Sequence, residues 1–406
     1  MFDCVFFCSK CGLPLCSDSC PKLINHRPEC EMLSPARDII ILNSEIDLQQ
    51  VYYFVTVLRA LWLRENNNKQ WEAVKLLMSN LEKRRGTKIF DFNQTYVVET
   101  LQHFGIRDFT EDQIQEICGI FDSNAYESSG PSRVSCRGLY LIASMMNSSC
   151  LPNTRHFFRD SGEMVLVCTR PVYQGAEILG CYTQPRWATT PRQKHLLTTK
   201  FFRCKCARCE DPEECGTYSG ALLCPTPDCR NPVCPRYPGE ANQDWICIKC
   251  KTHVPSRKCL TSLAVGTQLV HTRDRSDQKQ LIQLIQKLEG WLYPTHYTVS
   301  ELKMACITEW GDPNFVPFKD VDEIELKLKI KFSVEMMKSV EIIEGEQSRS
   351  KGFIIYNLLK TLDHCKTMEI AVDKDILKLV PQLTREIKII FKDDCGSPVD
   401  YCSFIH

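Results

Sequence analysis

The chain has 406 residues, more than a single hydrophobic core usually organises, so two or three domains are expected. With 43% hydrophobic and 25% charged residues, the sequence is neither that of a disordered nor that of a fibrous protein. Its 50 basic residues balance its 50 acidic residues, which excludes a general electrostatic attraction to nucleic acids or membranes.

The predicted elements begin, in chain order, with a cysteine-rich segment at residues 4–30. Apolar residues spaced three and four apart over residues 45–104 predict two or three helices. Short apolar runs broken by glycines between residues 134 and 182 predict strands joined by turns. Residues 212–239 are rich in Pro, Gly and Cys, which is typical of a loop-built module held by cross-links or metal.

Helical patterns return in the last third of the chain, at residues 280–285 and 353–391. The segment at residues 324–340 is ambiguous because its apolar residues fit both the two-residue step of a strand and a four-residue step. Its length and its Glu and Lys content favour a helix.

Cysteine is far more frequent than in ordinary proteins, at 25 of 406 positions. The chain starts without the basic and apolar regions of a secretory signal, and we find no run of about 18 uncharged apolar residues. We therefore expect a protein of the nucleus or cytoplasm that is not secreted and does not span a membrane. In such a reducing compartment, zinc-bound thiolates are favoured over disulfides.

Three cysteine clusters have the spacing of zinc ligands. The first contains Cys8, Cys11, Cys16, Cys20, His26 and Cys30, from which we expect a site of Cys8, Cys11, His26 and Cys30. The second, Cys204, Cys206 and Cys209, is one ligand short of a tetrahedron, and Cys150 is a candidate for the fourth. The third pairs Cys224 and Cys229 with Cys247 and Cys250, as in a zinc ribbon, with Cys234 as a rival ligand. Buried cysteines without metal are the alternative.

The order of three motifs resembles a known family. CSKCGLPLCSDSCPKLINHRPEC, at residues 8–30, resembles the later part of a MYND finger, a two-zinc module in which Cys16 and Cys20 would bind the other zinc. Asn147–Cys150 and GAEILGCYTQ resemble the C-terminal half of a SET domain, and Cys204–Cys209 resembles its post-SET zinc loop. Together they resemble the SET and MYND (SMYD) protein-lysine methyltransferase family. CARCEDPEECGTYSGALLCP is similar to its arthropod-type branch.

The resemblance implies an α+β fold with a β-rich SET core. It implies the following organisation: a partial MYND zinc finger at 1–30, a helical SET insert at 31–110, the C-terminal part of the SET core at 111–203, a post-SET and zinc-ribbon-like cysteine module at 204–255, and a helical-repeat-like C-terminal lobe at 256–406. Family members have a SET strand and a Gly-containing cofactor loop before the finger, so we expect this chain to be N-terminally truncated.

The resemblance also implies transfer of a methyl group from S-adenosyl-L-methionine to a lysine of a histone or non-histone protein, and a role in transcription regulation. Tyr182 would be the catalytic tyrosine and would also contact the cofactor. Asn147 and Ser148 would bind the cofactor, Phe202 would pack on it, and Cys150 would complete the post-SET zinc site. Proline-rich peptides are the partners that a MYND finger implies.

Two residues depart from the family pattern. Ser148 stands where the family has a histidine, and Lys200 stands where a tyrosine often lines the lysine channel. Together with the expected loss of the first SET strand, they support an alternative. In that alternative the protein is a catalytically weak or inactive zinc-dependent scaffold, which binds partner proteins through its finger and its helical lobe.

A basic stretch lies between residues 183 and 209, which contain no acidic residue. Its cations are Arg186, Arg192, Lys194, Lys200, Arg203, Lys205 and Arg208. Trp187 and Phe201 lie among them, a composition that nucleic acids can attract. A solvated protein surface is the commoner outcome, so DNA binding is an alternative that we do not favour.

Overall fold

The computed structural model describes residues 6–15, 17, 19, 26–42, 48–129, 135–240, 243–273 and 278–403. The chain divides into two compact units. Unit 1 comprises Met1–Glu127, Cys136–Met145 and Thr199–Phe201, and unit 2 comprises Ser128–Ser135, Met146–Thr198 and Phe202–His406. Within the described ranges, no helix has both the length and the apolar character needed to cross a membrane.

Unit 1 is built mainly from short helices. Its elements are β1 Phe6–Phe7, β2 Pro14–Leu15, α1 Arg27–Leu33, α2 Arg37–Leu42, α3 Leu48–Asn66, α4 Asn68–Lys75, α5 Leu81–Arg84, α6 Lys88–Asn93, α7 Glu99–His103 and α8 Glu111–Asn124, with a π-helical turn at Gln94–Val98. Over residues 45–104 the structure therefore has more helices than the two or three that were predicted, and those after α3 are short. Asn67 and Thr87 explain the breaks, because each side chain accepts a backbone N–H bond and starts a new helix.

The centre of unit 1 is α8, a helix that was not predicted. A capping box between Thr110 and Gln113 starts the helix, and Ile114, Ile117 and Ile120 are fully buried. At Gly119 a Cβ atom would lie 2.2 Å from the Ser79 carbonyl oxygen, so only glycine allows this close approach. The helices around residues 48–104 thus share one core with α8.

Short strands follow. They are β3 Tyr126–Ser129, β4 Ser135–Gly138, β5 Asn147–Ser148, β6 Thr154–Phe158, β7 Met164–Cys168 and β8 Leu179–Gly180. β5 and β8 pair in parallel, and β6 and β7 form an antiparallel hairpin. The prediction of short strands in this region is confirmed, although β8 is reduced to two residues because it pairs only with the equally short β5.

A second, four-stranded sheet lies in unit 2, where the sequence predicted a loop-built module. Its strands are β9 Leu222–Leu223, β10 Pro232–Pro235, β11 Trp245–Cys247 and β12 His253–Val254, in the order β12-β11-β10-β9. All neighbouring strands are antiparallel.

The remaining elements of unit 2 are helical. They are α9 Thr189–Thr199, α10 Ala207–Glu210, α11 Ser256–His271, α12 Gln278–Leu288, α13 Tyr297–Glu309, α14 Glu323–Glu344, α15 Arg349–Thr367 and α16 Lys374–Ile390. The ambiguous segment is indeed a helix, α14, which begins with an Asp322–Glu325 capping box and ends at Gly345, where φ is 90°. Helices and small sheets together make the fold α+β.

Candidate functional site: three thiolate clusters and a half-buried tyrosine

Three groups of cysteine and histidine side chains could hold a metal ion in the described part of the chain. They are the N-terminal cluster of Cys8, Cys11, His26 and Cys30, the central cluster of Cys150, Cys204, Cys206 and Cys209, and the ribbon cluster of Cys224, Cys229, Cys247 and Cys250. In each cluster the ligand atoms lie within 4.8 Å of one another, and the cysteines are free thiols. Four sulfur or imidazole donors suit tetrahedral zinc. Cys16 and Cys20 lie outside the described residues.

In the N-terminal cluster a carboxylate orients the histidine. His26 Nε2 lies 3.6 Å from Cys11 Sγ, and its Nδ1 lies 3.2 Å from Glu29 Oε1. Arg59 donates to both oxygens of Glu29. Burial acts to raise the pKa of Glu29, but hydrogen bonds and charge from Arg59 hold it below its usual range. An ionised carboxylate in this position favours the proton on Nδ1 and leaves Nε2 available to a metal ion.

The central cluster joins distant parts of the sequence. Cys150 follows β5, while the other three cysteines surround the start of α10. Cys209 Sγ lies 3.5 Å from Cys150 Sγ, and the Cys150 backbone N–H donates to Cys206 Sγ at 3.4 Å. Cys150 is therefore the fourth member of the group, as the sequence suggested.

The ribbon cluster lies on the four-stranded sheet. Cys224 Sγ is 3.5 Å from Cys250 Sγ, and Cys229 Sγ is 3.7 Å from Cys247 Sγ. Cys234, the rival ligand, lies outside this group and is buried on β10 opposite Ile246. Burial, together with the carboxylates of Glu213, Glu214 and Asp211, raises the pKa of its thiol.

The basic stretch between residues 183 and 209 supplies interior cations. Arg192 and Arg208 are fully buried and form ion pairs with Glu214. Lys200 Nζ donates to the carbonyl oxygens of Asp122 and Ser123, at 3.0 and 2.7 Å, at the end of α8. Burial lowers the pKa of Lys200. These three charges are therefore engaged within the protein and do not form an open patch.

The Tyr182 site is built by the pairing of β5 with β8. The Ser149 backbone N–H donates to the Gly180 carbonyl oxygen at 2.8 Å, which brings the chain after β8 beside Asn147 and Ser148. The Tyr182 backbone N–H then donates to Ser148 Oγ at 3.2 Å. The Tyr182 hydroxyl donates to the Met146 carbonyl oxygen, and burial raises the pKa of this hydroxyl.

Four residues were predicted to bind a cofactor. Asn147 and Ser148 lie beside Tyr182, and Phe202 lies beside the central cluster. Tyr182 and Phe202 both pack against the core formed by Cys150, Leu196, Cys204 and Cys209. Asn147 is exposed, and its amide donates to Glu177 Oε1 at 2.5 Å. The sequence analysis did not find Glu177 or the Met146 carbonyl, because neither carries a motif.

The chain is similar in sequence to known proteins. Residues 40–183 match the family model described as SET domain. "SET domain-containing protein SmydA-8, isoform B" of Drosophila melanogaster is 30% identical over 303 residues, covering 73% of this chain and 65% of that protein. "Histone-lysine N-methyltransferase ASHR1" of Arabidopsis thaliana is 25% identical over 312 residues, covering 70% and 62%. "SET domain and MYND-type zinc finger protein 6" of Schizosaccharomyces pombe is 27% identical over 215 residues, covering 50% and 40%.

The α+β fold, the SET match and the thiolate clusters define a class, that of zinc-site-bearing SET-domain proteins. Within that class, the SmydA-8 relative and the SET and MYND relative support a SMYD-type protein, in agreement with the resemblance of the motifs. The chain spans 65% of the length of the fly relative.

Proposed function

We propose that this protein transfers a methyl group from S-adenosylmethionine to a lysine side chain of another protein. The observation that carries the proposal is the position of Tyr182. This residue is half-buried and lies beside Asn147 and Ser148, and its hydroxyl donates a hydrogen bond to the Met146 carbonyl oxygen. The name of the Arabidopsis relative, a histone-lysine N-methyltransferase, supports the same reaction class.

The residues around Tyr182 fit this cofactor chemically. When bound, S-adenosylmethionine supplies a methyl group on a cationic sulfonium. A cation of this kind is stabilised by oxygen atoms and aromatic faces, which Tyr182, the Met146 carbonyl and Phe202 provide. The exposed Asn147 amide can bind polar groups of the cofactor after exchanging its bond to Glu177.

Ser148 has a positioning role in this proposal. Its hydroxyl accepts the hydrogen bond of the Tyr182 backbone N–H, so it holds the main chain that carries the catalytic tyrosine. This role differs from that of the family's histidine, which helps to seat the cofactor. Ser148→Ala would therefore reduce turnover more than cofactor affinity.

The experiment is a pair of measurements on zinc-loaded protein: calorimetric titration with S-adenosylmethionine, and transfer of radioactive methyl to a panel of histone and non-histone proteins. Tyr182→Phe should abolish transfer and leave the affinity for S-adenosylmethionine within about threefold. Tyr173→Phe is the matched control, because this tyrosine is 81% exposed and should change neither quantity. Loss of cofactor binding in Tyr182→Phe alone would make Tyr182 a packing residue.

The same titration separates the proposal from its alternative. A folded, zinc-loaded protein that binds no S-adenosylmethionine would be a scaffold that recruits partner proteins. For either function we propose residence in the nucleus or cytoplasm and a contribution to transcription regulation. We further propose that the N-terminal cluster belongs to a partial MYND finger that takes proline-rich peptides.

A further inference from the structure

We infer that Arg192, Arg208 and Glu214 form a buried charge clamp that holds the central cluster in its zinc-binding arrangement. The three are positioning residues for the metal, and the inference does not depend on methyl transfer. It goes beyond the ligands themselves, because these residues act on the cluster through charge and hydrogen bonds.

The clamp touches the cluster at two points. Arg192 Nη2 donates to Cys209 Sγ at 3.7 Å, and Arg208 Nη1 donates to the Cys150 carbonyl oxygen at 3.4 Å. Both arginines are 0% exposed. Glu214 Oε2 lies 2.8 Å from Arg192 Nη1 and 2.9 Å from Arg208 Nη2, so one buried carboxylate fixes both guanidinium groups.

The charge of the loaded cluster explains why cations are needed. Four thiolates around a zinc ion leave an excess of two negative charges, which is costly to bury without nearby cations. The two arginines bring two positive charges, and Glu214 cancels one of them. The clamp therefore leaves one positive charge to face the cluster, and this charge offsets half of the excess.

The backbone that carries Glu214 is strained. After α10 the chain places Glu214, Cys215 and Tyr218 in the left-handed region, with φ values of 49°, 59° and 54°. Residues other than glycine rarely adopt this conformation. The Asp211 carboxylate secures the loop by accepting the backbone N–H bonds of Glu213 and Cys215, at 2.9 and 2.6 Å. The strained backbone therefore occurs in the loop that places the Glu214 carboxylate against two buried arginines.

The ribbon cluster offers a comparison within the same unit. Its sulfur atoms have uncharged neighbours: Thr226 Oγ1 lies 3.7 Å and Thr252 Oγ1 3.2 Å from Cys250 Sγ, and Asn231 Nδ2 lies 3.6 Å from Cys229 Sγ. Cys250 is also exposed, so water can solvate the excess charge there. The buried central cluster needs protein cations in place of that water.

The first test is Arg192→Gln in the full chain, with zinc release measured by competition with a chromophoric chelator. The sites that open are identified by alkylation and mass spectrometry. Loss of an outer residue around a metal typically weakens binding roughly 10- to 100-fold. We expect Cys204, Cys206 and Cys209 to become alkylated at a lower chelator concentration, while the ribbon cysteines react as in the wild type. Arg192→Lys should restore much of the protection.

Arg84→Gln is the matched control. Arg84 is another fully buried arginine with a single carboxylate partner, Asp122 at 2.7 Å, and it belongs to unit 1. It should lower the melting temperature without opening the central cluster. If Arg192→Gln lowers the melting temperature in the same way and the central cysteines stay protected, the clamp is only a structural ion pair and the inference fails.

Glu214→Gln tests whether the carboxylate holds the two arginines, and it serves equally if Arg192→Gln does not fold. A neutral amide binds two guanidinium groups less strongly than a carboxylate does. The central cysteines should therefore become alkylated at a lower chelator concentration than in the wild type, while the ribbon cysteines react as before. Unchanged protection of the central cysteines in Glu214→Gln would overturn the role of the carboxylate.

Discussion

At the scale of single residues, the side chains that act on a metal ligand are as informative as the ligand. Glu29 lies one turn beyond His26 at the start of α1, and its carboxylate contacts His26 Nδ1. Arg59, on α3, keeps that carboxylate ionised. One chain of contacts therefore decides which imidazole nitrogen remains for the metal.

Glu29→Gln should weaken metal binding by the N-terminal cluster roughly 10-fold, because a neutral amide holds the Nδ1 proton less strongly and leaves Arg59 without its partner. The measurement is chelator competition, with alkylation of Cys8 and Cys11 as the readout.

Glu31→Gln is the control for this change. Glu31 lies two residues further along α1 and forms an exposed ion pair with Arg27 at 2.6 Å, a kind of pair that contributes little. It should release metal as the wild type does. Equal metal release from Glu29→Gln and wild type would show that the carboxylate does not orient His26.

The sequence predicted the members of the three clusters better than their surroundings. Short spacing identified all of the described members except Cys150, which lies far from its partners in sequence and was assigned through the family resemblance. Glu29, Arg59 and Glu214 escaped prediction because acidic and basic residues are common and their roles depend on distances across the fold. Spacing also left Cys234 as a rival ligand in the third cluster, and only the sheet separates it from that cluster.

At the scale of elements, the four-stranded sheet allows a test of which buried cysteine, Cys234 or Cys247, binds metal. Cys234 on β10 and Cys247 on β11 are both buried, but only Cys247 belongs to the ribbon cluster. Cys247→Ser should remove one zinc ion per chain and lower the melting temperature, because β11 loses its attachment to the metal. Zinc content by mass spectrometry under native conditions measures this directly.

Cys234→Ser is the paired control. It places a hydroxyl in a buried site, so it should cost on the order of 1–2 kcal/mol of stability and leave the zinc content unchanged. The reverse pattern, with zinc lost from Cys234→Ser, would restore Cys234 as the ligand.

Helix prediction was limited by competing or overlooked signals. The apolar spacing of α14 fits a strand as well as a helix, and its length and its Glu and Lys content gave the right answer; its capping box and terminal glycine also favour a helix. Over 45–104 the four-residue spacing ran through several breaks, because caps such as Asn67 and Thr87 interrupt helices without disturbing the apolar pattern.

α8 was missed although its sequence carries two helix signals. Ile114, Ile117, Cys118 and Phe121 recur at spacings of three and four, and Thr110 and Gln113 form a capping box.

At the scale of the whole molecule, long-range hydrogen bonds complete unit 2. Arg155 on β6 donates to the Ile390 carbonyl oxygen at 2.7 Å, and the Cys395 N–H donates to the Phe158 carbonyl oxygen at 3.0 Å. The β6–β7 hairpin is thus fastened to the end of α16, more than 200 residues later. Such contacts leave no local pattern, so the sequence could assign the elements but not their packing.

Acid should destabilise unit 2 through two histidines, one buried and one half-buried. Burial lowers the pKa of His296 to about 3, and burial together with Arg349 lowers that of His156 to about 4. The unfolded chain binds a proton at each histidine near pH 6.5, whereas the folded chain does not. Stability is therefore unaffected above about pH 6.5 and falls as the pH drops from there toward the folded values, by up to about 1.4 kcal/mol per pH unit for each group.

His296→Asn isolates one of these contributions. His296 Nδ1 accepts the Thr298 N–H at the start of α13, and an asparagine oxygen can accept the same bond without titrating. Between pH 6.5 and 5 the variant should lose about 2 kcal/mol less unfolding free energy than the wild type, as measured by urea titration at both values. Protonation of the zinc ligands affects both proteins alike and cancels in the difference. Parallel losses in the two proteins would mean that His296 is protonated in the folded state, so that its burial is not the source of acid sensitivity.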